Sequence, residues 1–344
     1  MARRAFTSTE LLVSIGIIAL LSAMGLPAIQ RVRGAYDRVQ CANRLRQLGI
    51  AAHHFNSDRG QLPPGYLGPS KDSETAFPPH ANVGQWVGHF PMLFPYFEKG
   101  GSKPNDFIDF RPDYVAPFPW FWLSSAQEPN PNTYAIAARK MPMLVCPTAL
   151  SLSPQTGKNE SGGGTLLGMH VFNDVHFNCL TVAWKDDYIK SKAYYPLART
   201  TYMGVAGCAN GNHPSLSIYE GIYTNRSTHS LAQLSVQDGT SNTLLYGEAC
   251  GSQWDGSPKN SMDICWMASG GLGTFGGLRR DNSEIIHFSS GHPQGFLFCF
   301  ADCSVRTLLR GDTETLGSPS WLLLQQLAGR HDGGPVDASD LVLD

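Results

Sequence analysis

From Leu11 to Ile29 this 344-residue chain carries no charged side chain. It has no G-x-S-x-G nucleophile elbow and no H-E-x-x-H zinc signature, so hydrolase readings have no motif to rest on. Its eight cysteines include no C-x-x-C pair, which removes the finger and ribbon classes of zinc site, and no metal ligand set is named. Basic residues do not alternate with stacking aromatics, so nucleic acid is not an expected partner. His292, Asp302 and the serines Ser289, Ser290 and Ser304 come nearest to a hydrolytic set. A histidine that opens a turn, its ring bonded to backbone, is the preferred reading. The expectation is a protein that is not an enzyme and has no catalytic residue.

The charge-free run spans about 28 Å as a helix, close to the hydrocarbon thickness of a bilayer. In lipid such a segment must be helical to satisfy its backbone, so it reads as a membrane span. A secretory signal peptide is the competing reading. Against it stand the length of the run and the lack of a small-x-small cleavage site, because Gly25-Leu26-Pro27 leads into more helix-like sequence. Glu10, at the edge of the run, is a carboxylate for which a partner is expected. Beyond Pro27, residues Ile29, Val32, Tyr36, Val39, Ala42, Leu45, Leu48, Ala52 and Phe55 recur at spacings of three and four, predicting one amphipathic stripe. Asp58-Arg59-Gly60, followed by Leu62-Pro63-Pro64-Gly65, ends it. A helix from Phe6 to Ser57 would be about 78 Å long.

Glycine and proline total 59 residues, about 17% against roughly 12% in average proteins, which predicts a loop-rich and strand-rich head. Residues 66–130 are irregular and aromatic, and the APFPWFW cluster within 110–122 reads as an insertion packing on its own sheet rather than as a glycan platform. The Ser/Gly-rich stretch 151–164 reads as a loop. From Thr200 onward, strands alternate with Gly/Asn/Asp turns. Phe296, Phe298 and Phe300 alternate with Leu297, Cys299 and Ala301, so this strand is expected to be central. Asp302-Cys303 is expected as a two-residue hairpin turn, with Val305 to Leu308 returning and Cys299 opposite Arg306. A short helix follows from Trp321. In an exported head the eight cysteines suggest disulfides whose pairing the sequence leaves open. Asp238, Thr240 and Asn242 have the spacing of a calcium-loop start, but position six is Thr243 and the bidentate acid is missing. An Asx-type turn is preferred, and calcium is the one cofactor entertained.

The segment Ala5-Phe6-Thr7-Ser8-Thr9-Glu10 resembles a type IV prepilin cleavage and methylation site, with Ala5 where glycine is usual. The resemblance implies a cut between Ala5 and Phe6 by a prepilin peptidase, N-methylation of Phe6, and Glu10 and Pro27 as the fifth and twenty-second mature residues. In that family the proline bends the helix. Glu10 would then pair with the Phe6 amine of a neighbouring subunit. Further motifs resemble the planctomycete family termed domain of unknown function 1559. They are C-x-N-x-L-x-Q-L-G from Cys41, the later P-P-G, Cys146-Pro147, Tyr202 to Gly207, Asp238-Gly239 with Asn242, Gly247-Glu248, and His292 ten residues before Asp302. The family has glycine where this chain has Cys303.

The expected fold is α+β, with a long pilin-like N-terminal helix packed on a mostly antiparallel, loop-rich sheet domain. Its segments are a leader 1–5, a transmembrane half 6–29, an amphipathic half 30–58 and a head 59–344 with a possible insertion at 66–140. The resemblance implies a structural subunit of a type II secretion pseudopilus or type IV pilus-like filament. Its partners would be the peptidase, other pilin-like subunits and the inner membrane, crossed once, with the head periplasmic or extracellular. Five arginines after the apolar run (Arg31, Arg33, Arg38, Arg44 and Arg46) outnumber Arg3 and Arg4 before it, which by charge counting alone would keep the head cytoplasmic. The alternative role is a monomeric, membrane-anchored periplasmic module that binds glycan or envelope protein.

Overall fold

A computed structural model describes residues 7–68, 84–97, 111, 120, 131–151, 164–166, 171–172, 178–179, 183–185, 197–208, 216–250, 262–279, 287–333 and 337–343. Helix α1 runs unbroken from Ser8 to Arg59, 52 residues or about 78 Å, and passes through Pro27. It starts at Thr7, whose extended backbone and side chain form a capping box with Glu10. It ends at Gly60, whose left-handed backbone (φ 75°) lets its N–H return to the Asn56 carbonyl at 2.8 Å. Ala5 and Phe6 lie outside the described residues.

The head covers much less of α1 than the apolar stripe suggests. Ile29, Val32, Tyr36 and Val39 are exposed, and burial begins at Cys41 and continues through Leu45, Leu48, Ala52 and Phe55. Periodicity defines a face without defining how far a partner extends along it. Residues 8–40, about 50 Å of helix, stand clear of the head's core.

The head is built on a six-stranded sheet of β1 (Tyr202–Gly207), β2 (Leu244–Glu248), β3 (Gly271–Gly273), β4 (Phe296–Phe300), β5 (Val305–Leu308) and β6 (Val342–Leu343), in spatial order β3-β1-β2-β4-β5-β6. The β3–β1 pairing is parallel and the other four are antiparallel. Among the described residues the other α-helices are α2 (Phe90–Phe97), α3 (Pro131–Ala137), α4 (Leu231–Val236) and α5 (Pro319–Ala328). Strand β4 is central, as its two apolar faces require. Leu297, Cys299 and Ala301 share a core with α1, whereas Phe296, Phe298 and Phe300 pack with Leu324, Leu327 and Ala328 of α5. A smaller sheet orders Ala183–Lys185, Gly164–Leu166, Met262–Cys265 and Arg199–Thr200. The architecture is α+β: a helix on each face of a mixed, mostly antiparallel sheet.

The stretch 66–140 contributes to the main core where it is described. Tyr66–Leu67 pairs with Val87–Gly88, and Trp86, Phe90, Leu93 and Phe94 join the cluster containing Leu45, Leu48 and Ala52. Trp120 is buried against Tyr134, ring centroids 5.7 Å apart, while the rest of the 112–122 aromatic segment lies outside the described residues.

The β4–β5 turn corrects the expected hairpin. Cys303 N–H donates to the Phe300 carbonyl and Phe300 N–H to the Ser304 carbonyl, both at 2.9 Å, so the loop has three residues. Cys303 takes the left-handed position that three-residue loops require, with φ 66°. The register therefore shifts by one, and Cys299 faces Val305 while Phe298 faces Arg306. Cys299 and Cys303 point toward Gly49 of α1, where an added Cβ would lie 2.8 and 3.1 Å from their sulfurs.

Candidate functional site

Two places gather the residues that the motifs single out. The first is the start of α1. Thr7 N–H and Thr7 Oγ1 donate to Glu10 Oε2 at 2.9 and 2.8 Å, and Glu10 N–H donates to Thr7 Oγ1 at 3.4 Å. The carboxylate is thus held by its own helix cap, a T-x-x-E signal present in the sequence but read there only as an isolated acid. The helix beyond it is exposed from Leu11 through Ile29 and is long and apolar enough to cross a membrane, as an anchor or a signal sequence would be.

The second place is buried, where α1 enters the head. Cys41, the first buried residue of α1, is disulfide-bonded to Cys146, which precedes the 3-10 turn Pro147–Ser151. Beside the bridge lie Glu248, at the end of β2, and His292, on the loop leading into β4, both buried. Donor atoms of the four residues all lie within 4.8 Å of one another. His292 Nε2 is 3.5 Å from Cys146 Sγ and 3.3 Å from Glu248 Oε1.

Glu248 Oε2 accepts from Ser290 Oγ at 2.7 Å and from Leu297 N–H at 3.2 Å, while Oε1 has no hydrogen-bond partner. The 3.3 Å approach of Oε1 to His292 Nε2 therefore lacks hydrogen-bond direction. His292 N–H donates to Ser290 Oγ at 3.1 Å, which folds the loop so that its ring faces Glu248. Burial and then the Glu248 carboxylate push the Tyr202 phenol and the Cys250 thiol up, so both stay neutral.

These contacts correct the reading of His292 as a turn histidine bonded to backbone, since its ring meets a cysteine sulfur and a carboxylate. Asp302 is engaged elsewhere: Oδ1 accepts Ser304 N–H at 2.8 Å, and Oδ2 lies 3.8 Å from Arg306. The His292–Asp302 spacing thus joins two separate structural tasks. Gly247 is glycine because a Cβ there would lie 2.3 Å from the Phe298 ring. Asp238 accepts backbone N–H groups of Asp332 and Gly333, each at 3.0 Å, and Asn242 Nδ2 donates to the Asp238 carbonyl at 3.2 Å. Gly239 has φ 85°. The Asp238 carboxylate thus ties this turn to the distant 332–333 segment rather than to its own backbone, which corrects the expected Asx-type turn.

Among the described cysteines there is one bridge rather than a framework. Cys250, Cys265, Cys299 and Cys303 are free thiols, and Cys179 has no described side chain. Sequence reasoning named Cys41, Cys146, Glu248 and His292 in separate motifs and did not group them. Their membership of one motif set was the available signal.

The fold and sites define a class: an α+β head clamped to a long helix whose apolar N-terminal part stands free. A family model described as "Protein of unknown function (DUF1559)" matches residues 30–310, and the chain belongs to that family. No curated protein and no solved structure gives a significant match.

Proposed function

We propose that the protein is a prepilin-type structural subunit, cut between Ala5 and Phe6 by a prepilin peptidase and assembled with other pilin-like subunits from the inner membrane. Its head would lie on the periplasmic or extracellular side of a single span, within a type II secretion pseudopilus or a surface filament. The observation that carries this reading is the free half of α1. Leu11 to Val39 presents exposed Leu, Ile, Val and Met side chains that the head does not cover. Bilayer covers about 30 Å of a helix, whereas about 44 Å (residues 8–36) stands free here, leaving roughly 14 Å for subunit contacts. Glu10, at the first turn, exchanges its cap for the Phe6 amine of a neighbour on assembly. The pair compensates two charges that would otherwise be buried alone.

Mass spectrometry of the amino-terminal peptide from native membranes tests processing, with methylated Phe6 as the expected first residue. A terminus at Met1 or Ala2 would remove the pilin reading and favour the monomeric anchored binding module. Glu10→Ala tests assembly separately: incorporation into filaments should collapse while the head remains folded.

A further inference from the structure

We propose that Cys41, Cys146, Glu248 and His292 form a buried site for one divalent zinc-class ion when the two cysteines are reduced, and that disulfide formation closes the site. This inference does not depend on filament assembly. The donor set is two sulfurs, one imidazole nitrogen and one carboxylate oxygen, the ligand types that suit Zn2+ and disfavour calcium or magnesium.

Geometry supports a single shared ion. A tetrahedral zinc with bonds of about 2.0–2.1 Å to N and O and 2.3 Å to S separates N from O by about 3.3 Å and S from N by about 3.6 Å. His292 Nε2 is 3.3 Å from Glu248 Oε1 and 3.5 Å from Cys146 Sγ. The sulfurs of Cys41 and Cys146 need only part to about 3.8 Å to complete the tetrahedron.

The second, independent observation is Glu248 Oε1. It is buried in a side chain of 0% exposure and has no hydrogen bond, although Nε2 is close. Leaving a buried carboxylate oxygen unsatisfied is costly, and a cation shared with the imidazole nitrogen 3.3 Å away would satisfy it. An outer shell is in place. Ser290 Oγ and Leu297 N–H fix Oε2, Thr148 Oγ1 lies 3.0 Å from Cys146 Sγ, and Cys146 N–H donates to Thr201 Oγ1 at 2.6 Å.

The two states interconvert by defined chemistry. A dithiol reductant supplies two electrons and two protons to the Cys41–Cys146 bond and becomes a disulfide itself. Zn2+ then binds both sulfurs as thiolates and releases their two protons to solvent. Either state ties α1 to the Cys146 segment, with metal before oxidation and a covalent bond after it.

The test uses the full chain in detergent micelles, reduced and then freed of reductant under anaerobic conditions, titrated with Co2+ alone. We expect one Co2+ per chain, a thiolate-to-metal charge-transfer band, and the intense visible bands of tetrahedral cobalt, all abolished by Zn2+. The oxidised chain should give none of these, a comparison that needs no variant. Glu248→Gln keeps an acceptor for Ser290 and Leu297 and should weaken Co2+ binding at least about 10-fold, Cys146→Ser should roughly halve the sulfur band, and Cys41→Ser with Cys146→Ser should remove it. The proposal is overturned if the reduced chain, folded by circular dichroism, gives no tetrahedral spectrum. It is equally overturned if the oxidised chain or folded Glu248→Gln binds Co2+ as the reduced wild type does.

Discussion

Opening the Cys41–Cys146 bridge should destabilise the head by several kcal/mol. The bridge joins residues 105 apart in sequence, with Cα atoms 5.5 Å apart. On the chain-entropy account, a closed loop of that length restricts the unfolded state by about 4.7 kcal/mol. Native domains have about 5–15 kcal/mol in all, so the loss would be a third or more of the total. The perturbation is Cys41→Ser with Cys146→Ser, so that no single thiol remains beside Glu248. The assay is urea unfolding of detergent-solubilised protein in EDTA, followed by tryptophan fluorescence, with slope and midpoint compared. The expected loss is about 3–5 kcal/mol, with a slope that rises because the unbridged chain exposes more surface on unfolding. A loss under about 1 kcal/mol would refute the reasoning, because the long loop would then be constrained by other contacts in the unfolded chain. Reduced wild type in EDTA should match the variant. With Zn2+ at 100 times its dissociation constant, it should regain about 2.7 kcal/mol that the variant does not.

Gly49→Ala should destabilise the head by about 1 kcal/mol. Overpacking against Cys299 and Cys303 costs about 1–3 kcal/mol and helix propensity returns nearly 1, so Cys299→Ala in the same chain should restore stability in urea unfolding. His89 lies buried, its ring 4.6 Å from that of Tyr223, with Nδ1 at 3.4 Å from the Gly65 carbonyl, and burial pushes its pKa down to about 3. The unfolded chain therefore binds a proton that the folded chain refuses below about pH 6.5. This contribution to stability is complete above that pH and falls by about 1.4 kcal/mol per pH unit toward pH 3. His89→Gln should flatten the slope of unfolding free energy between pH 6 and 4, and equal slopes would refute the assignment. Burial and then Asp302 push the Cys303 thiol from 9.0 up to about 11. Iodoacetamide at pH 8 should modify it about 100-fold more slowly than an unperturbed thiol, as read by mass spectrometry of native protein.

The elements with a strong local signal were legible in the sequence. The charge-free run and its amphipathic sequel define α1, and the Phe296–Phe300 alternation marks a strand buried on both faces. What escaped depends on distance along the chain. The stripe from Ile29 to Val39 has helical periodicity, but its exposure follows from where the head ends, which no local pattern encodes. The turn at Cys303 was misread by one residue because a non-glycine in a left-handed position gives no compositional sign. Grouping Cys41 with Cys146, Glu248 and His292 requires four separate segments to converge. The T-x-x-E cap at Thr7 was local and readable, yet the apolar run beside it drew attention to the charge rather than to the cap.

The position of the clamp follows from the mechanics of a long helix on a small head. About 44 Å of α1, residues 8–36, stands free of the head, so a sideways load at its tip acts with that leverage on the first packed turn. Apolar packing resists such a load poorly at an edge, because the outermost side chains can be levered into solvent one at a time. Directional contacts are concentrated at that edge. Cys41 is bonded to Cys146, Arg44 donates to the Val145 carbonyl one turn later, and Arg38 donates to Thr307 one turn earlier. Farther in, His53 Nε2 donates to the Ala301 carbonyl at 2.7 Å and Asn56 accepts Leu231 N–H at 3.1 Å. Removing the bridge should thus act first on the outer turns of α1, with amide exchange rising around residues 38–45 before it rises around 52–59. A uniform rise along the whole buried half would mean that α1 leaves the head as one unit and that the bridge carries no edge-specific load.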